Sequence, residues 1–165
     1  MATISTQQGP SKAKAAALTV LVNACRFLLG ATFVFSGFVK AIDPIGTQYK
    51  LQDYISAVGM GGIVPDIVTL LASVALSALE FSLGVFVLFA IRRHLVSKIL
   101  VAFMAVMTLI TVWIAIANPV SDCGCFGDAI TLTNVQTLLK NVVLTACAVV
   151  VCRCRERMLD RKSVV

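Results

Sequence analysis

The sequence predicts an all-α integral membrane protein built as a four-helix bundle. Of its 165 residues, 59% are hydrophobic and only 13% are charged, and the mean hydropathy is +0.95. A soluble domain would be about a quarter charged. The chain also divides into four long apolar runs, and a transmembrane helix needs about 20 apolar residues. We expect one compact bundle with a short extracytoplasmic surface helix between helices 1 and 2, and no separate soluble domain.

The first span is predicted at residues 15–38, after a polar cytoplasmic segment 1–14 that we expect to be disordered. A signal peptide is the alternative, but its apolar region would be only about 7–15 residues long. The run here is longer and contains Arg26, so we interpret it as a retained span. The pair Asp43-Pro44 ends the helix or turns the chain. A weak apolar stripe in residues 45–60, followed by glycines, predicts the surface helix.

The other three spans are predicted at residues 67–91, 96–117 and 134–152, and residues 153–165 form a basic cytoplasmic tail. Arg92-Arg93-His94 separates the second span from the third, and Asn118-Pro119 ends the third. Thr133 is followed three residues later by Gln136, which matches a capping box at the start of the fourth helix.

The distribution of basic residues predicts the orientation. Lysines and arginines gather at the N-terminal segment, at the turn between helices 2 and 3 and in the C-terminal tail. The positive-inside rule therefore places both termini in the cytoplasm. The net charge of +6 is explained by this topology, and we predict no nucleic-acid partner. We expect the transmembrane helices to contact membrane lipid.

The loop between helices 3 and 4 carries the most informative motif, Cys123-Gly124-Cys125. The predicted topology places it outside the cytoplasm, where disulfides persist. A bridge across one residue strains the backbone, although Gly124 tolerates unusual dihedral angles. Strained, exposed disulfides tend to be the labile and catalytic ones. Cys123 and Cys125 are therefore the candidate catalytic residues. A static structural bridge is the alternative; a metal site is disfavoured, because the only histidine, His94, is predicted on the other side of the membrane.

Three polar residues are predicted at the same membrane level as this loop. Lys40 ends helix 1, and Lys140 and Asn141 lie in the first turns of helix 4. They can stabilise a thiolate or donate hydrogen bonds to an oxygen of a bound quinone, and they are the candidate cofactor-binding residues. The alternative is that both lysines extend to the interface as snorkelling side chains.

Two ionisable residues are predicted inside the bilayer, where such residues usually have a partner. Arg26 and Glu80 fall at matching depths when counted from the predicted helix ends at about 1.5 Å per residue. We predict an ion pair between them that clamps helix 1 to helix 2. A polar floor beneath a ligand cavity, or part of a proton path, is the functional alternative.

The remaining cysteines are most simply packing residues. Cys25 and Cys147 fall at similar depths in helices 1 and 4, so a second thiol pair is the alternative for them. Cys152 and Cys154 lie at the cytoplasmic end of helix 4, and the sequence does not decide their role.

Together these motifs resemble the DoxX-like and MauE-like bacterial membrane proteins. The resemblance rests on Arg26, Glu80, the stretch from Gly30 to Pro44 and the loop from Asn118 to Asp128, and the cysteine loop makes it closer to MauE. It implies a four-helix bundle in the bacterial inner membrane. MauE is linked to disulfide formation during maturation of methylamine dehydrogenase. The architecture is also similar to quinone-coupled vitamin K epoxide reductase and DsbB proteins, which carry Cys-x-x-Cys and a second pair outside the membrane.

The leading hypothesis is a membrane thiol–disulfide oxidoreductase, or its membrane subunit. Cys123 and Cys125 would exchange electrons with a thioredoxin-like or other thiol protein outside the membrane and pass them to a quinone. The alternative is a non-enzymatic assembly or accessory subunit with a structural Cys123–Cys125 bridge. A small-solute transporter needs discontinuous helices and a midplane site, and only the predicted Arg26–Glu80 pair favours it.

Overall fold

The computed structural model describes residues 11–117 and 132–157. Its helices are α1 (Ser11–Ile42), α2 (Pro44–Ala57), α3 (Asp66–Leu88), α4 (Arg93–Ala117) and α5 (Asn134–Arg153), with a short 3-10 helix at Arg155–Arg157. All but α2 are long and apolar enough to cross a membrane. The described residues contain no strand. The predicted fold class, an all-α membrane bundle, is therefore confirmed.

The helix bounds follow the predicted ones closely except at α1. This helix begins at Ser11 and runs to Ile42, whereas the sequence predicted residues 15–38. Residues 11–14 of the segment predicted to be disordered are thus helical. The longer α1 changes the depth at which its polar residues lie, and this matters for the ion pair described below.

α1 and α3 lie antiparallel and approach each other closely at glycines. A Cβ atom on Gly37 would collide with the backbone of Phe81, and one on Gly84 would lie 2.6 Å from the backbone nitrogen of Val34. Small residues allow this close approach in membrane bundles, where packing and hydrogen bonds hold the helices together. The two contacts fix the register of α1 against α3.

The two ends of the bundle differ in what they connect. At the loop end, α1 and α4 end while α3 and α5 begin, and α2 also lies at this end. At the opposite tail end, α1 and α4 begin while α3 and α5 end. The cysteine loop therefore joins two helix ends that lie at the loop end.

The interior changes character along the length of the bundle. The tail half contains the apolar core, with Val22, Leu29, Val87, Leu100, Ala148 and Val151 among its buried side chains, and it also buries Asn23, Arg26 and Ser97. The loop half instead buries polar and charged side chains, among them Ser36, Lys40, Ser73, Ser77, Glu80, Thr111, Thr137 and Asn141. Burying polar groups costs free energy unless they are hydrogen-bonded. Inside a membrane, ionisable residues such as Lys40 and Glu80 indicate a candidate functional region.

Two helices that begin at the loop end are capped by side chains. Asp43 Oδ1 accepts a hydrogen bond from the backbone nitrogen of Gly46 at 2.8 Å, and Pro44 occupies the first turn of α2. Thr133 Oγ1 accepts from the backbone nitrogen of Gln136 at 3.3 Å, and Gln136 Oε1 accepts from that of Thr133 at 3.1 Å. The predicted capping box at the start of α5 is therefore confirmed.

α2 is fastened to the first turns of α3. Ser73 Oγ donates to the backbone oxygen of Pro44 at 2.9 Å, and Gln52 Nε2 donates to Asp66 Oδ1 at 3.0 Å. The predicted glycine stop follows the helix, where Gly59 has a φ of +86°. These contacts hold α2 across the loop end beside the buried polar residues.

Candidate functional site

A buried ion pair joins α1 to α3 in the loop half. Lys40 Nζ donates to both carboxylate oxygens of Glu80 at 2.8 Å, and Ser36 Oγ donates to Glu80 Oε2 at 2.7 Å. The side chains of Lys40 and Glu80 are only 7% and 5% exposed. The carboxylate thus has both of its oxygens satisfied by the two α1 side chains.

The local geometry of α1 explains why these residues meet. Ser36 and Lys40 are four positions apart, so they lie on one face of the helix. Gly37 brings this part of α1 against the backbone of Phe81. Glu80 precedes Phe81 in the chain, and its carboxylate therefore lies against the face that carries the hydroxyl and the ammonium.

The predicted Arg26–Glu80 pair is wrong, because Glu80 is paired with Lys40 and Ser36. The prediction counted depths from helix ends that were taken to lie level. α1 instead extends past the end of α3 at the tail end, and a Cβ atom on Gly30 would already meet Leu88, the last residue of α3. Arg26 lies a turn further toward the tail end, buried and away from Glu80.

A small cavity borders the ion pair, with a volume of about 50 Å³. It is lined by Thr32, Phe33, Ser36, Lys40, Glu80, Phe103, Met104, Met107, Lys140, Asn141 and Leu144. A water needs roughly 10–15 Å³ of such space, so the cavity has room for a few waters. The structure thus brings together Lys40, Lys140 and Asn141, the three residues predicted to bind a cofactor; that they bind one remains a prediction.

A larger cavity lies on the other side of Lys40, with a volume of about 130 Å³. It is lined by Lys40, Thr47, Lys50, Leu51, Tyr54, Ser73, Leu76, Met107, Ile110 and Thr111. These residues come from α1, α2, α3 and α4, so α2 forms one of its walls. We call the two spaces the small cavity and the large cavity.

Lys40 and Met107 line both cavities and therefore lie between them. A buried hydrogen bond adds to this partition, because Asn141 Nδ2 of the small cavity donates to Thr111 Oγ1 of the large cavity at 3.3 Å. Next to it, Thr108 and Thr145 hydrogen-bond at 2.7 Å between α4 and α5. The loop half thus holds two adjacent spaces with one charged residue in their common wall.

Cys123 and Cys125, the predicted catalytic residues, lie outside the described residues. The four described cysteines, Cys25, Cys147, Cys152 and Cys154, are free thiols. Cys25 and Cys147 lie close to each other in the apolar core of the tail half. Over residues 11–117 and 132–157, no three His, Cys, Asp or Glu side chains come together as a metal site.

These features define a class of protein: a multi-pass helical membrane protein with a buried Lys–Glu pair and two adjacent cavities in one half of the bundle. Residues 18–153 match the family model described as "Methylamine utilisation protein MauE". This match covers more than half of the chain, and the chain therefore belongs to the MauE family. A search of curated proteins found no match, and a search of solved structures found none either.

Sequence reasoning missed two features of this site. It did not pair Lys40 with Glu80, although the spacing of Ser36 and Lys40 on one helical face was visible in the sequence. It also gave no role to the surface helix, which contributes four residues, Thr47, Lys50, Leu51 and Tyr54, to the large cavity. No sequence signal reveals that cavity, because its wall is assembled from four separate helices.

Proposed function

We propose that this MauE-family protein is a membrane thiol–disulfide oxidoreductase, or the membrane subunit of one. The observation that carries the proposal is the position of the buried Lys40–Glu80 pair and the two cavities. They lie in the half of the bundle at which the Cys123–Cys125 segment joins α4 to α5. Cys123 is six residues from Ala117, so the chain allows it at most about 20 Å from the end of α4.

The proposed reaction has two balanced steps. A dithiol of a thioredoxin-like partner attacks the Cys123–Cys125 disulfide, so the partner gains the disulfide and the pair becomes two thiols. The two thiols then reduce a quinone: their two electrons and two protons convert the quinone to a quinol, and the disulfide re-forms. A lipid quinone is the acceptor that a bundle of this size can hold at its loop end.

The proposed orientation places the loop end on the extracytoplasmic side of a bacterial inner membrane, with both termini in the cytoplasm. The support is the excess of basic residues at the tail end. In this orientation the cysteine pair meets its thiol partner in an oxidising compartment. Reporter fusions at the C-terminus and within residues 118–131 test the orientation, and a cytoplasmic signal from the loop fusion would contradict it.

Thiol trapping in membranes tests the redox function. We expect the Cys123–Cys125 bridge of the wild type to open with a mild dithiol and to re-form when quinone is supplied. A Cys123→Ser/Cys125→Ser variant should insert normally and lose disulfide formation in the partner. Cys152→Ser/Cys154→Ser is the matched control and should retain it. Undiminished disulfide formation by the first variant would contradict the proposal.

The second candidate is a non-enzymatic assembly or accessory subunit with Cys123–Cys125 as a structural bridge. The family description favours it, since it names methylamine utilisation and no reaction. The same trapping experiment separates the two candidates. Two results together would support the accessory subunit. The Cys123–Cys125 bridge would resist mild dithiols, and the cysteine variants would change membrane insertion without changing disulfide formation in the partner.

A further inference from the structure

We infer that the large cavity is the site of the quinone ring, with Lys40 as the hydrogen-bond donor to a ring oxygen. This inference rests on the proposed function and locates its acceptor. The sequence placed the ligand beside Lys40, Lys140 and Asn141, which together line the small cavity. The structure assigns the ring to the other side of Lys40.

Size separates the two cavities. A cavity of about 150 Å³ lined by apolar side chains binds benzene in another protein. The large cavity, at about 130 Å³, therefore accommodates one six-membered ring with little space left. The small cavity, at about 50 Å³, does not accommodate a ring and is suited to a few waters.

The lining of the large cavity fits a flat six-membered ring that has a carbonyl oxygen at one side. Leu51, Leu76, Met107 and Ile110 provide apolar walls, and Lys40 provides a buried cation. Ligand sites typically combine such apolar walls with a few placed polar groups that fix the orientation. A quinone carbonyl has the matching chemistry, since it accepts a hydrogen bond and carries no charge.

Lys40 retains donor capacity for such an oxygen. An ammonium has three N–H donors, and in the described part of the chain two of those of Lys40 are directed to the two oxygens of Glu80. One N–H is therefore available to a carbonyl in the large cavity. Glu80 holds the ammonium in place and, because Ser36 also binds the carboxylate, the donor is fixed before the ligand arrives.

The large cavity also has a route to lipid. Ile110 lines it and is 38% exposed on α4, on a helix whose outward apolar side chains include Val106, Leu109 and Trp113. A ring attached to a long isoprenoid chain can therefore lie in the cavity while its chain extends into the bilayer past Ile110.

Fluorescence quenching of Trp113 provides the test. Trp113 is the only tryptophan of the protein and lies three residues from Ile110, on the same side of α4. Ubiquinone-1, a single-ring quinone with a short tail, is titrated into the full-length protein in detergent. We expect saturable quenching of Trp113 fluorescence by ubiquinone-1.

Paired variants locate the ring. Leu76→Phe fills the large cavity and should weaken ubiquinone-1 binding at least tenfold, while Thr32→Phe at the small cavity should change it less than twofold. Lys40→Met/Glu80→Gln removes the donor without leaving a lone buried charge, and should weaken binding roughly tenfold to a hundredfold, as expected for a hydrogen bond to a charged group. Size-exclusion elution confirms that each variant is folded.

The outcomes distinguish this inference from the proposed function. Weaker binding in Thr32→Phe or Lys140→Met, with normal binding in Leu76→Phe, would overturn the assignment to the large cavity. Non-saturable quenching would also overturn it, because it indicates partition of the quinone into detergent. The Cys123→Ser/Cys125→Ser variant should bind ubiquinone-1 as the wild type does. If it binds normally while the wild type shows no thiol oxidation, the proposed function fails and the quinone site stands.

Discussion

Lys40 and Glu80 are forty positions apart in the chain, yet the lysine ammonium lies 2.8 Å from both oxygens of the carboxylate. Both side chains are almost completely buried. Removing two charges from water costs several kcal/mol for each ion, and their attraction repays this only in good geometry with further hydrogen bonds. Ser36 supplies one such bond. The pair is therefore costly in free energy, and its lysine lines both cavities.

Removing one member of the pair should destabilise the protein more than removing both. We expect Lys40→Met to lower the free energy of unfolding by about 3–5 kcal/mol, because it leaves an uncompensated buried carboxylate. Lys40→Met/Glu80→Gln should recover most of that loss. A double-mutant cycle on the purified protein, measured by denaturant or thermal unfolding, gives the coupling. Additive losses would show that the two charges do not depend on each other.

The position of this pair also marks the limit of what the sequence predicts. The four spans followed from length and hydropathy, α2 followed from the weak apolar stripe in residues 45–60, and the start of α5 followed from Thr133…Gln136, because a cap is a local interaction. The partner of Glu80 depends on how far α1 slides along α3. That register is set by contacts at Gly37 and Gly84. It cannot be obtained by counting residues from the end of each helix separately.

Gly37 should tolerate no side chain. A Cβ atom there meets the backbone of Phe81 and lies 2.8 Å from the backbone oxygen of Ser77, so relief requires α1 and α3 to move apart. We expect Gly37→Val to separate the helices, to break the Lys40–Glu80 contact and to lower both the unfolding temperature and ubiquinone-1 binding.

Gly59→Ala is the matched control for this prediction. Its φ of +86° is unfavourable for alanine, but a Cβ atom there meets nothing within 4 Å. The expected loss is about 1–2 kcal/mol from the left-handed backbone alone, with ligand binding unchanged. Equal effects of the two substitutions on binding would contradict a special role for the close approach at Gly37.

The capping box at Thr133 should stabilise the start of α5, where the cysteine loop enters the bundle. Thr133→Ala removes the acceptor for the backbone N–H of Gln136 and should cost about 0.5–2 kcal/mol. Thr133→Ser retains a hydroxyl and should cost little. Hydrogen exchange of the first turn of α5 measures the effect locally, and unchanged protection in Thr133→Ala would rule out a stabilising cap.

The thiols of Cys25 and Cys147 should take no part in exchange with Cys123 and Cys125. They lie close to each other in the apolar core of the tail half, whereas α4 ends and α5 begins at the loop end. Cys147 lies thirteen residues along α5 from Asn134, which is about 20 Å at 1.5 Å per residue. Thiol–disulfide exchange requires direct attack of one sulfur on another, and we predict that the two cysteine pairs do not meet. We expect Cys25→Ala/Cys147→Ala to retain the full rate of partner oxidation while losing about 1–2 kcal/mol of stability from the lost packing.

A substantial loss of oxidation rate in a variant that elutes and melts as a folded protein would instead identify the two as a second redox pair.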